Sequence, residues 1–333
     1  MIEPSKKVIH LLAYFKRRLF LKSRIMRLIQ HAETIAPTHL ALETTAHCNG
    51  KCTFCPSPHM RRKRGVMTPN LFRRIIEDAR QIGTIQFITH GGMGEPLLDS
   101  HIADRISYEK KQLDTIVQLH TNGSLLTGDR AYALFKAGLD ILSISVNAFS
   151  AESHRVITGL DFHTVLDHVR QATTIRNTIG AKTRIRATIV NCELISQKEI
   201  RLFRQYWSER VDEVAVHRKK NWANLKAPPS PLRKLPCKWI WYMLSVHWDG
   251  SVSKCHEDYE ENTLLGNLNN NSILEIFNHP ALTKIRSQFC ESQLPTLPGC
   301  QGCSRLRFDQ EWWMGATRKN NPNGLITFSY EDF

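Results

Sequence analysis

Short strand-like runs alternate with longer helical runs from Ala36 to about His217, and this alternation limits the possible fold more than any other feature. Runs of apolar and β-branched residues predict strands, whereas apolar residues at helical spacing predict helices between them. Such alternation is typical of a parallel sheet with helices packed outside it. We therefore predict an α/β fold with strands at 39–44, 85–89, 115–120, 140–146, 183–190 and 212–217, and with helices near 69–82, 101–112, 128–137, 162–179 and 196–209.

Three cysteines follow directly on the first predicted strand. Cys48, Cys52 and Cys55 form a C-x3-C-x2-C motif, with Phe54 before the last of them. The loop at the carboxyl end of a strand is where an α/β fold positions its chemistry. Three thiolates suit a soft metal, but a structural zinc site requires four ligands. A [4Fe-4S] cluster held by three cysteines leaves one iron open, and a zinc site is the alternative on this motif alone.

This motif resembles the cluster loop of the radical S-adenosylmethionine (radical SAM) enzymes. The resemblance implies that Cys48, Cys52 and Cys55 bind a [4Fe-4S] cluster whose fourth iron is chelated by S-adenosylmethionine (SAM). It also implies cleavage of SAM to a 5'-deoxyadenosyl radical, with electrons from an external one-electron reductant such as flavodoxin or ferredoxin. The architecture of that family is a partial (β/α)6 TIM-like barrel, which agrees with the six predicted strands.

The loops after the following strands carry further resemblance to this family. The run from Gly91 to Pro96, Gly-Gly-Met-Gly-Glu-Pro, is similar to the GGE motif that receives the methionine amino group of SAM. Glycines at such a position let a backbone approach a ligand closely. The run Thr121-Asn-Gly123 and the polar residues around the fourth strand end are similar to other SAM contacts. The cofactor-binding residues that the resemblance implies are Gly92, Gly94, Glu95, Asn122, Ser143, Ser145 and Asn147.

Four further cysteines occur in the C-terminal third of the chain, at Cys237, Cys255, Cys300 and Cys303. The first two flank alternating runs around Asp249-Gly250, which predict a β-hairpin, and a helix is predicted near 272–287. Four thiolates can close a metal site completely, and zinc and an iron–sulfur cluster suit them equally. The pattern resembles the SPASM/twitch region of radical SAM enzymes and is closer to the shorter twitch type. This implies one auxiliary [4Fe-4S] cluster, and hence two clusters in all.

The chain of 333 residues divides into five predicted segments. These are a basic amphipathic N-terminal helix (1–37), a radical SAM core (38–218), a proline-rich linker (219–236), a small hairpin-plus-helix domain of the SPASM/twitch type (237–305) and a C-terminal tail (306–333). The resemblance covers about residues 38–305. The first and the last segment lie outside it.

The net charge of +14 is concentrated in part at the N-terminus, where residues 1–31 contain eight Lys or Arg and only one acidic residue. This segment suits a membrane surface or a docking partner, or else a helix that covers the main domain with a solvated basic face. Charge alone is weak evidence for nucleic acid, which we do not expect as a partner. No apolar run is long enough for a membrane span and no secretory signal is evident, so we expect a cytoplasmic protein.

Residues for the reaction itself are the least determined by the sequence. His217, Arg218 and Lys219 end the sixth predicted strand and are candidate bases or substrate clamps, with a neutral histidine favoured as base because its usual pKa is close to working pH. Cys192 and Cys290 are candidate hydrogen-atom donors, or simply buried small residues. A set of aromatic residues could line the cavity or pack within the hairpin: Trp222, Trp239, Trp241 and Tyr242. The basic run Arg61–Arg64 could meet a substrate anion or lie in solvent.

Two outcomes follow from SAM cleavage and hydrogen abstraction in this family. Electron transfer to an auxiliary cluster oxidises the substrate, as in amino-cyclitol dehydrogenases, whereas a thiol that quenches the radical gives epimerisation. We therefore expect an oxidoreductase or epimerase acting on a sugar or aminoglycoside-like small molecule. The alternative is a peptide- or protein-modifying enzyme, although the 37-residue N-terminal segment is too short for a peptide-leader-binding domain. A non-catalytic, zinc-stabilised binding module is a remote alternative.

Overall fold

The computed structural model describes residues 35–222, 237–291, 297, 299–300 and 302–305, and of Cys290 only the backbone. The predicted basic helix, most of the predicted linker and the predicted C-terminal tail therefore lie outside the described residues. Within the described ranges, no helix is both long and apolar enough to cross a membrane.

Six parallel strands form the first part of the sheet, and each strand after the first pairs with the strand that precedes it in the chain. All six agree with the predicted strands to within two residues, and the predicted α/β fold is confirmed. The strands are β1 (His39–Leu42), β2 (Phe87–His90), β3 (Ile116–Thr121), β4 (Ile141–Ser145), β5 (Arg184–Asn191) and β6 (Glu213–Arg218).

Helices connect these strands and cover the outside of the sheet. They are α1 (Pro69–Ile82), α2 (Ile102–Gln112), α3 (Gly128–Lys136), α4 (Ala151–Thr158), α5 (Phe162–Thr178) and α6 (Gln197–Trp207). The prediction missed α4, because eight residues are too few for a clear apolar period. Local signals fix its ends, since the Ser150 side chain accepts a hydrogen bond from the amide of Ser153 and Gly159 closes the helix in the left-handed conformation.

Helix α1 illustrates how closely local chemistry sets the boundaries. The Thr68 hydroxyl accepts a hydrogen bond from the amide of Leu71, Pro69 occupies the first turn, and Gly83 ends the helix with φ of 68°. Its buried face consists of Leu71, Phe72, Ile75, Ile76 and Ala79. This face packs with the outward side chains of β1, so the helix fixes the strand that leads into the three-cysteine loop.

The C-terminal region continues the same sheet. Strand β7 (Met243–Val246) pairs in parallel with β1, and β8 (Ser251–Ser253) and β9 (Leu264–Asn267) follow in antiparallel order. The predicted hairpin around Asp249-Gly250 is therefore β7–β8, but the pairing of β7 with β1 was not predicted. The helix predicted near 272–287 is two helices, α7 (Ile273–Phe277) and α8 (Pro280–Cys290), because Pro280 has no amide hydrogen to continue a helix across it.

Strands β2, β1 and β7 present matching residues to the barrel interior. Ala41 of β1 lies opposite Thr89 on one side and Ser245 on the other. Side chains alternate along a strand, so the residues two positions further, Glu43 and His247 among them, lie in the next layer towards the carboxyl ends of the strands. The hairpin thus contributes one wall of the barrel mouth.

Candidate active site

The three-cysteine loop is folded by a tight local turn and anchored on α4. The amide of Cys55 donates to the carbonyl of Cys52 at 3.0 Å, which turns the chain between two of the thiols. The amides of Lys51 and Thr53 donate to carbonyl groups at the end of α4, each at 2.8 Å. Arg64 supports the loop from below by donating to the carbonyls of Ala46 and Ser57. The helix that the prediction missed therefore helps to hold the cysteines in place.

Burial raises the pKa of all three thiols. The pKa of Cys52 is raised to about 12 and that of Cys55 to about 11, with the neighbouring cysteines adding to the effect of burial on Cys52. Thiolates rather than thiols bind metals, so loading a cluster must release these protons. Such a set of three neighbouring, half-buried thiols suits a cluster, and the charges of Lys220 and Arg64 favour the thiolate form of Cys55.

A cavity of about 1180 Å³ opens beside this loop at the carboxyl ends of the strands. The three cysteines line it together with six of the seven predicted cofactor-binding residues: Gly92, Gly94, Glu95, Asn122, Ser145 and Asn147. Ser143 is the exception, because it lies one pleat deeper in β4 and is only 1% exposed. The structure therefore brings the cysteine motif and the predicted SAM-binding loops to one site.

Two glycines in the loop after β2 allow its close approach to the cysteine loop. A Cβ atom at Gly94 would overlap the backbone of Thr45. Gly92 has a φ of 113°, and a Cβ atom there would lie 2.9 Å from the side chain of Glu43. The amide of Glu95 then donates to the carbonyl of His47 at 2.8 Å. These contacts explain why the loop needs glycine at both positions.

Glu95 is buried and ties two loops together. Its carboxylate accepts hydrogen bonds from the hydroxyl of Thr121 at 2.6 Å and from the amides of Asn122 at 2.7 Å and Leu97 at 3.1 Å. Burial raises its pKa despite these donors. Glu95 lines the large cavity, where an ammonium group would favour the ionised carboxylate, as the resemblance implies for the amino group of SAM.

The four C-terminal cysteines meet at a second, smaller cavity. Cys237, Cys255, Cys300 and Cys303 all line a space of about 520 Å³. The amide of Cys303 donates to the carbonyl of Cys300 at 3.3 Å, so the C-x2-C pair forms a turn. Burial raises the pKa of Cys255 to about 12, and it also raises the pKa of Cys303 well above its usual value. Much of the remaining wall is apolar, with Trp239, Ile240, Ile285 and Phe289.

The donor sets at both cavities fit iron–sulfur clusters. Three thiols border the larger cavity and four border the smaller one, as the predicted SAM-binding and auxiliary clusters require. In the described part of the chain, no three His, Cys, Asp or Glu side chains converge closely enough to hold a single metal ion. The thiols instead surround open space on the scale of a bound group.

His256 lies where the two cavities adjoin. It lines both of them, and its ring is 5.5 Å from that of Trp239 and 6.5 Å from that of Trp222. Its Nε2 atom is 3.0 Å from Glu257 and 3.2 Å from the Nζ atom of Lys220. Burial lowers the pKa of His256 to about 4. The charge of Glu257 opposes this shift and the charge of Lys220 adds to it, so the ring is neutral at pH 7. Its position directly after Cys255 is the feature of the sequence from which His256 could have been predicted as a site residue.

The structure places some of the candidate catalytic residues at the large cavity and others away from it. His217 and Arg218 line the large cavity, whereas Lys219 extends away and pairs with Glu193 at 2.7 Å. Lys220, which was not predicted, lines the cavity instead. Cys192 is 7% exposed, packs in the hydrophobic core and is absent from the described lining of the cavity. The side chain of Cys290 lies outside the described residues.

The pKa of His217 differs from the value that the sequence analysis expected. Burial, with the charges of Lys220 and Arg186, lowers the pKa of His217 to about 3, not to a value close to working pH. Its imidazole is therefore neutral at pH 7 and able to accept a proton, but only weakly basic.

The aromatic residues and the basic run also take separate positions. Trp222 lines the large cavity and donates its indole N–H to the carbonyl of Phe54 at 2.9 Å, and Trp239 lines the smaller cavity. Trp241 and Tyr242 pack in the core. In the run Arg61–Arg64, Arg62 turns inward and pairs with Glu43 at 2.6 Å, whereas the side chain of Arg61 is exposed beside Glu260.

Two family models match the chain. Residues 42–180 match the Radical SAM superfamily, and residues 237–304 match SPASM, an iron-sulfur cluster-binding domain. An uncharacterized protein of Methanocaldococcus jannaschii is 31% identical over 180 residues, 54% of this chain and 56% of the relative. PqqA peptide cyclase of Streptomyces rochei is 29% identical over 140 residues, 42% of this chain and 38% of the relative. The chain spans about a third to just over half of the length of the first curated relatives that it matches.

The fold is also similar to solved structures. BtrN in complex with AdoMet and 2-DOIA has a TM-score of 0.58 at 17% identity, over 90% of this chain and 99% of that chain. The domain matches imply SAM and a [4Fe-4S] cluster for the first domain and auxiliary iron–sulfur for the second, which agrees with the two cysteine-lined cavities. Because the second match is an iron–sulfur domain, the zinc-stabilised binding module loses its support. Residues 42–180 are thus similar to the Radical SAM superfamily and residues 237–304 to the SPASM iron-sulfur cluster-binding domain.

Proposed function

We propose that this protein is a radical SAM dehydrogenase that oxidises a carbon–oxygen or carbon–nitrogen centre of a small polyhydroxylated molecule. The observation that carries this proposal is the position of His256, which lines both the three-cysteine and the four-cysteine cavity. A substrate in the larger cavity lies between the source of the radical and a second cysteine site that can accept an electron. Cys48, Cys52 and Cys55 are the proposed ligands of the first cluster, and Cys237, Cys255, Cys300 and Cys303 those of the auxiliary cluster.

When bound at Cys48, Cys52 and Cys55, a cluster with SAM would supply the radical chemistry that removes a hydrogen atom from the substrate, and a cluster at Cys237, Cys255, Cys300 and Cys303 would supply an acceptor for one electron. The protein supplies orientation and proton transfer. In the proposal, the Gly91–Glu95 loop and Asn122 position SAM, and His217 accepts the proton of the reacting hydroxyl group. The low pKa of His217 keeps the imidazole neutral beforehand and lets it release the proton again. A hydrogen atom, an electron and a proton then leave the alcohol, which becomes a carbonyl.

Oxidation is favoured over epimerisation by the positions of the candidate thiols. Quenching a carbon radical by a thiol requires that the sulfur reach the substrate. Cys192 is packed in the core, and the cysteines among the described residues that line the large cavity are the three proposed cluster ligands. The neutral His256 ring between Trp222 and Trp239 instead supports a short path towards the four-cysteine site.

A second candidate function is modification of a peptide, and the alignment with PqqA peptide cyclase favours it. A peptide substrate would place a side-chain carbon, rather than a ring carbon, between SAM and His256. The two candidates share the chemistry and differ in the substrate.

The test is hydrogen transfer from deuterated candidate substrates into 5'-deoxyadenosine, after anaerobic loading with iron and sulfide and with flavodoxin or ferredoxin as reductant. Amino-cyclitols, aminoglycosides and nucleotide sugars come first, and linear peptides form the comparison set. The proposal expects deuterium in 5'-deoxyadenosine and a product two hydrogens lighter from a small molecule. Transfer from peptides alone would favour the second candidate, and absence of SAM cleavage under strong reductant would overturn both.

A further inference from the structure

A buried lysine lies in the wall of the four-cysteine cavity and has no role in the mechanism described above. Lys254 comes directly before Cys255 and lines this cavity with only 4% of its surface exposed. Its backbone amide donates to the carbonyl of Thr263 at 3.1 Å, which extends the pairing of β8 with β9 by one residue and fixes the position of the lysine. A buried ammonium group is costly unless it is paired, so this position calls for a physical explanation.

The ion-pair partner of this lysine is Asp258. The Nζ atom of Lys254 is 2.8 Å from Oδ2 of Asp258 and 3.3 Å from Oγ1 of Thr263. An ammonium group has three N–H donors, and the described residues supply only these two acceptors. The third donor therefore has capacity for an acceptor in the cavity that Lys254 lines.

Asp258 lies outside the wall of the cavity. Its carboxylate also accepts hydrogen bonds from the amide and the side chain of Asn262, both at 3.0 Å, and from the amide of Thr263 at 2.9 Å. The residue is buried but absent from the described lining of the cavity. The loop after Cys255 thus fixes the carboxylate behind the lysine, so that the positive end of the pair borders the four cysteines.

The other charged groups of this wall form a separate set in which the charges oppose each other. Arg305 and Glu257 both line the cavity, and Nε of Arg305 is 3.1 Å from Oε1 of Glu257. Lys220 and His256 contact the same carboxylate at 3.3 Å and 3.0 Å. In this set a cation and a carboxylate are both at the wall, whereas in the Lys254 pair only the cation is.

The charge of Lys254 acts on two of the four cysteines. Burial raises the pKa of Cys255 and of Cys300, and at each thiol the charge of Lys254 is the largest effect that opposes burial. Lys254 therefore favours negative charge at these two sulfurs. A cluster held there would gain one negative charge on reduction, and both the net charge and the hydrogen bonds around a cluster set its reduction potential.

We propose that Lys254 raises the reduction potential of the cluster at the four-cysteine site and thereby makes this site an electron acceptor. This deepens the proposed function, on which it rests for the role of the site in the reaction. The substrate radical loses one electron to the cluster and one proton to His217, which leaves a carbonyl group and a cluster reduced by one electron. Lys254 acts through the cluster, because it is absent from the described lining of the large cavity.

The test is a potentiometric titration followed by electron paramagnetic resonance. It uses the anaerobically loaded full chain without SAM or substrate, and the signal that Cys300→Ala lacks identifies the four-cysteine site. At the midpoint potential of the wild-type site, Lys254→Met should have a ratio of reduced to oxidised cluster at least about 10-fold lower, a shift of about 59 mV for one electron. Asp258→Asn keeps the lysine and removes the opposing charge, so it should raise this ratio by at least about 3-fold.

Lys284→Met is the matched control, because it removes the same charge from an exposed position on α8, next to the cavity-lining Ile285. Solvent screens that charge, so the ratio should change by less than about 3-fold. An unchanged ratio in Lys254→Met would overturn the proposal. Shifts of the same sign in Lys254→Met and Asp258→Asn would also overturn it, because a merely structural pair moves the potential in one direction when either member is lost.

Iron analysis shows whether each variant holds as much iron as the wild type. If Lys254→Met does not, Asp258→Asn decides alone, and an unchanged or lowered potential in that variant contradicts the proposal. The titration needs neither substrate nor turnover. If the potentials shift as expected and no small molecule transfers deuterium, the role of Lys254 stands and the proposed function fails. If deuterium is transferred and the potentials do not shift, the reverse holds.

Discussion

The two cysteine sites differ in how the chain builds them. The first is one loop, 48–55, whose own turn brings the thiols together, and it opens on a large cavity with glycines and polar groups. The second is assembled from Cys237, Cys255 and a distant C-x2-C turn, and much of its wall is apolar. We infer from this difference that the two sites have different roles. The first site is accessible, so SAM and substrate can meet there, whereas the second is more enclosed and suits a group that accepts and passes on an electron.

The largest expected effect is at the first site. Cys48→Ala should abolish SAM cleavage, because three ligands are the minimum for the open-iron cluster, and should lower the iron content from about eight to about four per chain. Iron analysis and detection of 5'-deoxyadenosine check this. Cys192→Ala is the matched control and should keep iron and cleavage at a stability cost of about 1 kcal/mol. Normal cleavage by Cys48→Ala would remove the motif from the mechanism.

The second site should show the opposite pattern. Cys300→Ala should continue to cleave SAM, since the first cavity is built without it, but oxidised product should fall to background because the electron has no acceptor. Chromatography of both products from one reaction measures the ratio. If cleavage and product formation fall together, the two sites do not have separate roles.

Much of this comparison could be predicted from the sequence, and the part that could not depends on contacts between distant residues. The six strands, the cysteine motif and the polar strand ends depend on local patterns, so they were found. The pairing of β7 with β1, and with it the hairpin wall of the barrel mouth, depends on two segments about 200 residues apart, and no local pattern encodes it. Lys219 and Lys220 look alike in sequence, and only the direction of the chain after β6 separates them.

The loop after β2 should be the next most sensitive element. Gly94→Ala places a Cβ against the backbone of Thr45, so the loop must shift and the affinity for SAM should fall by at least about 10-fold. Gly83→Ala is the control, since that glycine also has positive φ but no atom within 4 Å of an added Cβ. It should lower stability by about 1 kcal/mol and leave SAM binding unchanged. Equilibrium binding of SAM distinguishes the two variants.

The smallest predicted effect concerns the junction between the sites. Lys220→Met removes the charge that contacts both His256 and Glu257 and should slow product formation by about 10-fold, with SAM affinity retained. Lys219→Met loses only a surface pair with Glu193 and should change the rate by less than about 3-fold. Rates under saturating SAM compare them. Equal effects of the two substitutions on the rate of product formation would mean that the junction does not control electron transfer between the two sites.

The most direct measurement of the central claim is electron paramagnetic resonance after a single turnover of a deuterated amino-cyclitol. Protein whose first cluster alone has been reduced is mixed with SAM and substrate and then frozen. Passage of the electron to the four-cysteine site predicts a reduced-cluster signal equal in amount to the oxidised product, and its absence in Cys300→Ala. Formation of an epimer containing solvent hydrogen, with no such signal in the wild type, would contradict the account.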